Sequence, residues 1–295
     1  MSTFYLPGLT TKFMLNFLII SMIKRFPERF RDGLKIGAVY GDFPTSLWNG
    51  GRTIGGNCEE RFMRNAVKTF NDLGVPVRYT FTNPLIEKKH LSDYHCNLCM
   101  EIADNGMNEV TVFSPVLEEY IRNKYPSFKI VSSTCKEIRE IPDLIEELEK
   151  DYKMVVLDYN LNNHFDLLEQ IPKHLREKCE ILINACCVPN CPKRGWHYRF
   201  IGQNSIDFFE AKAKGVPYEE PPFECEYGKN NHYYNIQGYP TFVSPKSIEE
   251  EYIPRGFKHF KIEGRTGSLF GGIESYVNYL SKDETKDENR FTILF

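Results

Sequence analysis

Short apolar, β-rich runs alternate with amphipathic helical runs along nearly the whole chain, and this alternation constrains the fold more than any other feature. The strand candidates are KIGAVY from Lys35, PVRYTF from Pro76, EVTVF from Glu109 and FKIVSS from Phe128. KMVVLD from Lys153, CEILIN from Cys179, PTFVS from Pro240 and KHFKI from Lys258 continue the series. Most are almost continuously apolar. Strands buried on both faces read this way, and parallel sheets bury both faces. Helical patterns follow, such as EERFMRNAVKTFNDLG with its glycine stop, KEIREIPDLIEELEKDY and GSLFGGIESYVNYLSK. Eight βα units within 295 residues predict an α/β fold, a (β/α)8 TIM-type barrel spanning 34–295 as a single domain. Residues 1–33 read as an N-terminal helical cap. A doubly wound open sheet is the competing arrangement.

Composition narrows the function classes. A chain of this length and 41% hydrophobic content can bury a large core without metal or disulfides. The formal charge of −3 provides no strong basic patch for nucleic acid. The run FMLNFLIISMI (13–23) is about half of the ~20 residues a membrane span needs, and Lys24 and Arg25 follow it, so a buried helix is expected and no membrane span. Nine cysteines is an odd count, and no secretory signal pattern precedes them. Reduced thiols in a cytoplasmic protein are expected, some of them as metal ligands.

In a barrel of this kind the chemistry gathers where strands end and helices begin. After the Lys35 run stand Asn49, Gly50, Gly51 and Arg52. Glycines let a ligand approach backbone amides, and an arginine can fork a carboxylate or phosphate. A flexible glycine loop with a surface arginine is the plainer reading. Asn83 follows the Pro76 run, Asp158 and Asn160 the Lys153 run, and Glu263 and Arg265 the last run. Arg52 and Arg265 are assigned to an anionic substrate, Asp158 and Glu263 to proton handling. A single strand-end acid is otherwise a helix cap.

The stretch NACCVPNCPKRGWHYR (184–199) lies in a Cys-rich loop, 185–231, too long for a simple turn. Cys187 and Cys191 are spaced C-x3-C, Pro189 and Pro192 stiffen the loop, and Cys225 follows in ECEYG. Thiolates favour zinc or an iron–sulfur cluster. A nucleophilic thiol activated by Arg194 or His197 is a second reading, and inert buried thiols a third; Arg194 and His197 are also assigned, with Asn49, Gly50, Gly51, Arg52 and Asn83, to substrate binding. Cys96 and Cys99 share one face of a predicted helix and are assigned to the core.

WNGGR, INACCVPNCPKRGWHY, ECEYG and GFKHFKIEGR, in this order, resemble the peptidase U32 family. The resemblance covers roughly the first to the last strand candidate. It implies a TIM-type barrel and, on four cysteines, a 4Fe–4S cluster. Members are linked to oxygen-independent hydroxylation of ubiquinone precursors and RNA bases, and others to peptidase activity. The family's Glu-x-Phe segment and its Gly-Ala-Asp-Ala strand motif are missing here, which makes the chain a divergent case. The implied ligands are Cys187, Cys191 and Cys225, with Cys58 as the fourth because it follows the first strand at a helix entrance, and Cys135 as its substitute. The expected substrate is a small molecule, a nucleobase or a peptide. The resemblance also admits a heterodimer with a second U32-like protein, or a cluster-binding accessory subunit without turnover.

Overall fold

A computed structural model describes residues 1–52, 56–223, 225–227 and 233–295. Eight parallel strands close a barrel: β1 (Ser2–Pro7), β2 (Leu34–Gly41), β3 (Val77–Phe81), β4 (Glu109–Val112), β5 (Lys129–Ser132), β6 (Met154–Val156), β7 (Cys179–Leu182) and β8 (His259–Lys261). Each strand pairs with its neighbours in sequence, and β1 closes the ring by pairing with both β2 and β8. Around them run α1 (Phe13–Arg25), α2 (Glu60–Asp72), α3 (Tyr94–Ala103), α4 (Pro115–Lys124), α5 (Ile141–Glu149) and α6 (Phe165–Leu168). The long α7 (Arg194–Lys214), α8 (Tyr233–Ile236), α9 (Pro245–Ser247), α10 (Leu269–Leu280) and α11 (Lys286–Leu294) complete the chain. This is a (β/α)8 barrel.

Two expectations need correcting. Residues 1–33 are not a cap but the first βα unit. In STFYLP, Phe4 and Leu6 pack outward into the helical layer, while Tyr5 joins Ala38 and Tyr40 inside the barrel. Helix α1 then buries Leu15, Ile19, Ile20 and Met22. The run at Pro240 forms no strand. The amide of Phe242 donates to the Tyr239 carbonyl in a turn, and that of Val243 donates to Ile183 just beyond β7. With β1 inserted between β2 and β8, the ring has no vacancy for it.

The outer core lies between sheet and helices, and Cys96 and Cys99 are fully buried there. Local chemistry fixes the helix starts. At α4, Ser114 accepts from the Leu117 amide at 3.4 Å, and Pro115 occupies the first helical position. The barrel interior is polar at its lower level. Arg78 donates to Glu109 at 2.7 Å and to Glu180 at 2.7 and 2.6 Å, all three wholly buried, and its guanidinium lies 4.1 Å over the Tyr5 ring. A buried charge is tolerated only when it is matched in this way.

Candidate functional site

Above that network a cavity of about 250 Å³ opens at the C-terminal ends of the strands. One wall comes from the loop after β2. Gly50 accepts from Arg265 Nη2 at 2.8 Å, and a Cβ placed on Gly50 would stand 2.4 Å from the Thr82 carbonyl, so only glycine fits. Gly51 has φ +75°, and its absent Cβ would lie 3.2 Å from Arg265 Nη2 and 3.8 Å from Cys135 Sγ. Asn49 joins the two arginines: Oδ1 accepts from Arg265 at 3.1 Å, and Nδ2 donates to the Arg52 carbonyl at 2.7 Å.

Arg52 and Arg265 therefore reach one mouth, although β1 stands between the strands that carry them. Each already has a carboxylate. Arg265 meets Asp42 at 3.1 Å and also donates to Thr80. Arg52 pairs with Glu263, whose Oε2 accepts from the Cys186 amide at 2.8 Å. Burial pushes the Asp42 carboxyl up, and Arg265 and Thr80 oppose that shift. Asn184 accepts from the Glu263 amide at 2.6 Å, which locks β7 to β8 beneath the Cys-rich loop.

The opposite wall is built on α7. Arg194 donates to Asp158 at 2.7 Å, to Tyr198 at 2.8 Å and to Thr134, and lies 4.2 Å over the Tyr159 ring. Asp158 also accepts from the Asn160 amide and from Arg139. It is a turn cap and a counter-ion, and it does not line the cavity. His197 lines the cavity and stacks on Phe223, ring centroids 3.8 Å apart. Burial, with Arg52 adding to it, lowers its pKa to about 4, so its ring is neutral near pH 7. Asn83 lies outside the cavity, where it donates to the Leu47 and Gly202 carbonyls at 3.1 and 3.2 Å and ties the β2 loop to α7.

The cysteines divide sharply. Cys135, Cys186, Cys187 and Cys225 line the cavity. Cys191 is buried, within electrostatic reach of Cys187. Cys58 is not brought to the mouth. It sits just before α2 and packs against the outer core, within the electrostatic reach of Cys99. Among the described residues, no three His, Cys, Asp or Glu side chains stand close enough to hold a single metal ion. Burial pushes the Cys187 thiol up to about 11 and Cys186 higher still, with Glu263 adding to the rise at Cys186. Such thiols are protonated at neutral pH, unlike an activated nucleophile.

The cavity also holds residues that the strand-end reading passed over: Tyr40, Thr80, Thr111, Tyr198 and Lys261. A signal for Lys261 was present in HFKIEG. His259, Lys261 and Glu263 are polar at every second position, the spacing of one strand face.

No protein-family model matches the chain. It is 24% identical over 194 residues to a curated protein of Methanocaldococcus jannaschii described as an uncharacterized protease, across 62% of this chain and 52% of that one. The chain thus spans about half the length of that relative. A solved U32 peptidase is similar over 88% of this chain and 91% of its own, with a TM-score of 0.49 and 14% identity. Residues from each of the stretches WNGGR, INACCVPNCPKRGWHY, ECEYG and GFKHFKIEGR line one mouth: Gly51 and Arg52, Cys186 and Cys187, Cys225, and Lys261 with Glu263 and Arg265. Among the described residues, no helix is long and apolar enough to cross a membrane.

Proposed function

We propose that this chain is a U32-like barrel enzyme that modifies a small molecule or a nucleobase in the mouth cavity, beside a 4Fe–4S cluster. One observation carries this reading. Cysteines from three separate segments, Cys135, Cys186–Cys187 and Cys225, face one cavity together with Arg52 and Arg265. Soft thiolates suit iron–sulfur chemistry, and four of them hold a 4Fe–4S cluster. A single zinc ion binds sulfur at about 2.3 Å and so needs its thiolates tightly gathered. A four-iron cluster is larger and accepts thiolates spread around it, which suits a cavity lined from several sides. Cys187, Cys191 and Cys225 remain the proposed ligands, with Cys135 in place of Cys58 because Cys135 lines the cavity.

When bound, the cluster would supply one-electron chemistry, and oxygen-independent hydroxylation is the reaction that the resemblance suggests. The chain's own residues have simpler tasks. Arg52 and Arg265 orient polar or anionic groups of the substrate. Glu263, held by Arg52 and the Cys186 amide, is the carboxylate at the mouth that can exchange a proton. Asp158 positions Arg194 and does not line the cavity. A cavity of about 250 Å³ suits a small molecule or one base better than an extended peptide. A reducing cytoplasm and a second U32-like chain as partner belong to the same reading.

A peptidase is the second reading, favoured by the description of the curated relative as an uncharacterized protease. The raised thiols and the neutral His197 weigh against a cysteine nucleophile. Metal analysis of anaerobically purified protein tests the choice. About four irons per chain with a brown colour support the cluster. Zinc, or no metal after anaerobic reconstitution, sinks it.

A further inference from the structure

Lys261 has no task in the chemistry above, yet it is the amine at the centre of the barrel mouth. It lies on β8, is 7% exposed, and lines the cavity. Its Nζ sits 4.1 Å from the centroid of the Tyr40 ring and 3.5 Å from Glu180. The carboxylate contact is long because Arg78 already holds both Glu180 oxygens, at 2.7 and 2.6 Å. The lysine is thus left half-matched, with Tyr40 facing it from β2, Arg78 from β3, Glu180 from β7 and Arg265 from beyond β8. Burial lowers its pKa to about 8, Glu180 opposes the shift, and Arg78 and Arg265 reinforce it. About a tenth of the amine is then unprotonated at pH 7, far more than for an ordinary lysine. Across the cavity, β4 carries a second unused group. Thr111 Oγ1 is buried, lines the cavity and has no hydrogen-bond partner among the described residues.

We propose that Lys261 is a reactive amine that condenses with the carbonyl carbon of a small aldehyde or ketone bound in the mouth cavity. This rests on the reading of that cavity as the active site and deepens it by naming the substrate class. The Nζ lone pair attacks the carbonyl carbon as the C=O π pair moves to oxygen, and that oxygen takes up a proton while nitrogen loses one. The carbinolamine then takes one proton on its hydroxyl and expels it as water while nitrogen forms the C=N bond, and nitrogen gives up its remaining proton. Amine plus carbonyl gives imine plus water, with no oxidant or reductant consumed. Thr111 supplies a hydroxyl that can donate to the carbonyl oxygen. Glu180 holds the amine on one side, and the side chain lines the cavity on the other.

The test uses the full chain, purified anaerobically, with propionaldehyde or glyoxylate and sodium cyanoborohydride to reduce any imine. Peptide mass mapping then follows each lysine. At pH 7.5 the adduct on Lys261 should form at least tenfold faster than on Lys68 or Lys246, whose side chains are 72% and 79% exposed. The Lys261 rate should level off near pH 8, while the exposed lysines keep accelerating toward their ordinary pKa of about 10.4. Lys261 left unmodified, or modified no faster than Lys68, overturns the proposal. Iron is measured on the same sample. An adduct without iron removes the cluster and keeps the imine, and iron without an adduct does the reverse.

Discussion

Arg194 Nη1 stands 2.7 Å from Asp158 Oδ2, and neither side chain is more than 2% exposed. This ion pair pins the first turn of α7 to the end of β6, and so fixes the Cys-rich loop that enters α7. Replacing Asp158 with Asn leaves the guanidinium buried without its main counter-charge. A loss of about 3–5 kcal/mol of stability is expected, read by urea denaturation. Adding Arg194→Met should restore a large part of it. A single-variant loss below about 1 kcal/mol would show that Arg139 and Thr134 suffice.

Thiol position, not strand order, should decide iron content. Cys135→Ser, Cys187→Ser and Cys225→Ser are each expected to lower iron per chain and bleach the visible absorbance after anaerobic reconstitution. Cys58→Ser should retain both, because Cys58 packs against the outer core and does not line the cavity. Full iron in Cys135→Ser together with loss in Cys58→Ser would reverse the assignment.

The approach of the β2 loop to β3 leaves no space at Gly50. A methyl group there would meet the Thr82 carbonyl at 2.4 Å and the Asn83 amide at 2.6 Å, both backbone atoms that cannot swing aside. Gly50→Ala should cost about 1–3 kcal/mol and loosen Arg265, whose Nη2 bonds the Gly50 carbonyl. Thermal unfolding checks the first effect. Weaker binding of an anionic ligand by calorimetry checks the second.

His197 gives a pH signature. Its folded pKa of about 4 lies below the ordinary value of 6.5, so the unfolded chain binds more protons between these limits. Its contribution is therefore fully present above pH 6.5 and is lost as pH falls toward 4. His197→Gln should flatten that part of the stability–pH curve in denaturation series from pH 7 to 4. An unchanged acid limb would show that His197 is not held neutral by its surroundings.

The barrel was readable because KIGAVY, EVTVF and CEILIN are apolar runs bounded by turn and helix signals, and they became β2, β4 and β7. STFYLP escaped notice for a physical reason. Its six residues place Tyr5 inward and Phe4 and Leu6 outward, and its role depends on pairing with His259–Lys261 at the far end of the chain. PTFVS has the right composition but no edge to join. The site divided in the same way. Arg52, Arg265 and the Cys-rich loop could be placed from strand ends alone. Strand ends do not say which way a βα loop turns, and so they could not separate Cys58 from Cys135. Nor does an inward lysine within a strand announce itself unless the period of two is followed through HFKIEG.

The Tyr5 hydroxyl lies 2.9 Å from His259 Nδ1, although 254 positions separate them in the chain. The ring is sealed by its two most distant strands. Closure is thus a high-contact-order event that waits for the last βα unit, and contacts of such long range form slowly. Without β8, the edge of β1 opposite β2 has no partner in the ring. An open parallel edge invites pairing with other chains. The same contact that closes the ring therefore also removes its last open edge.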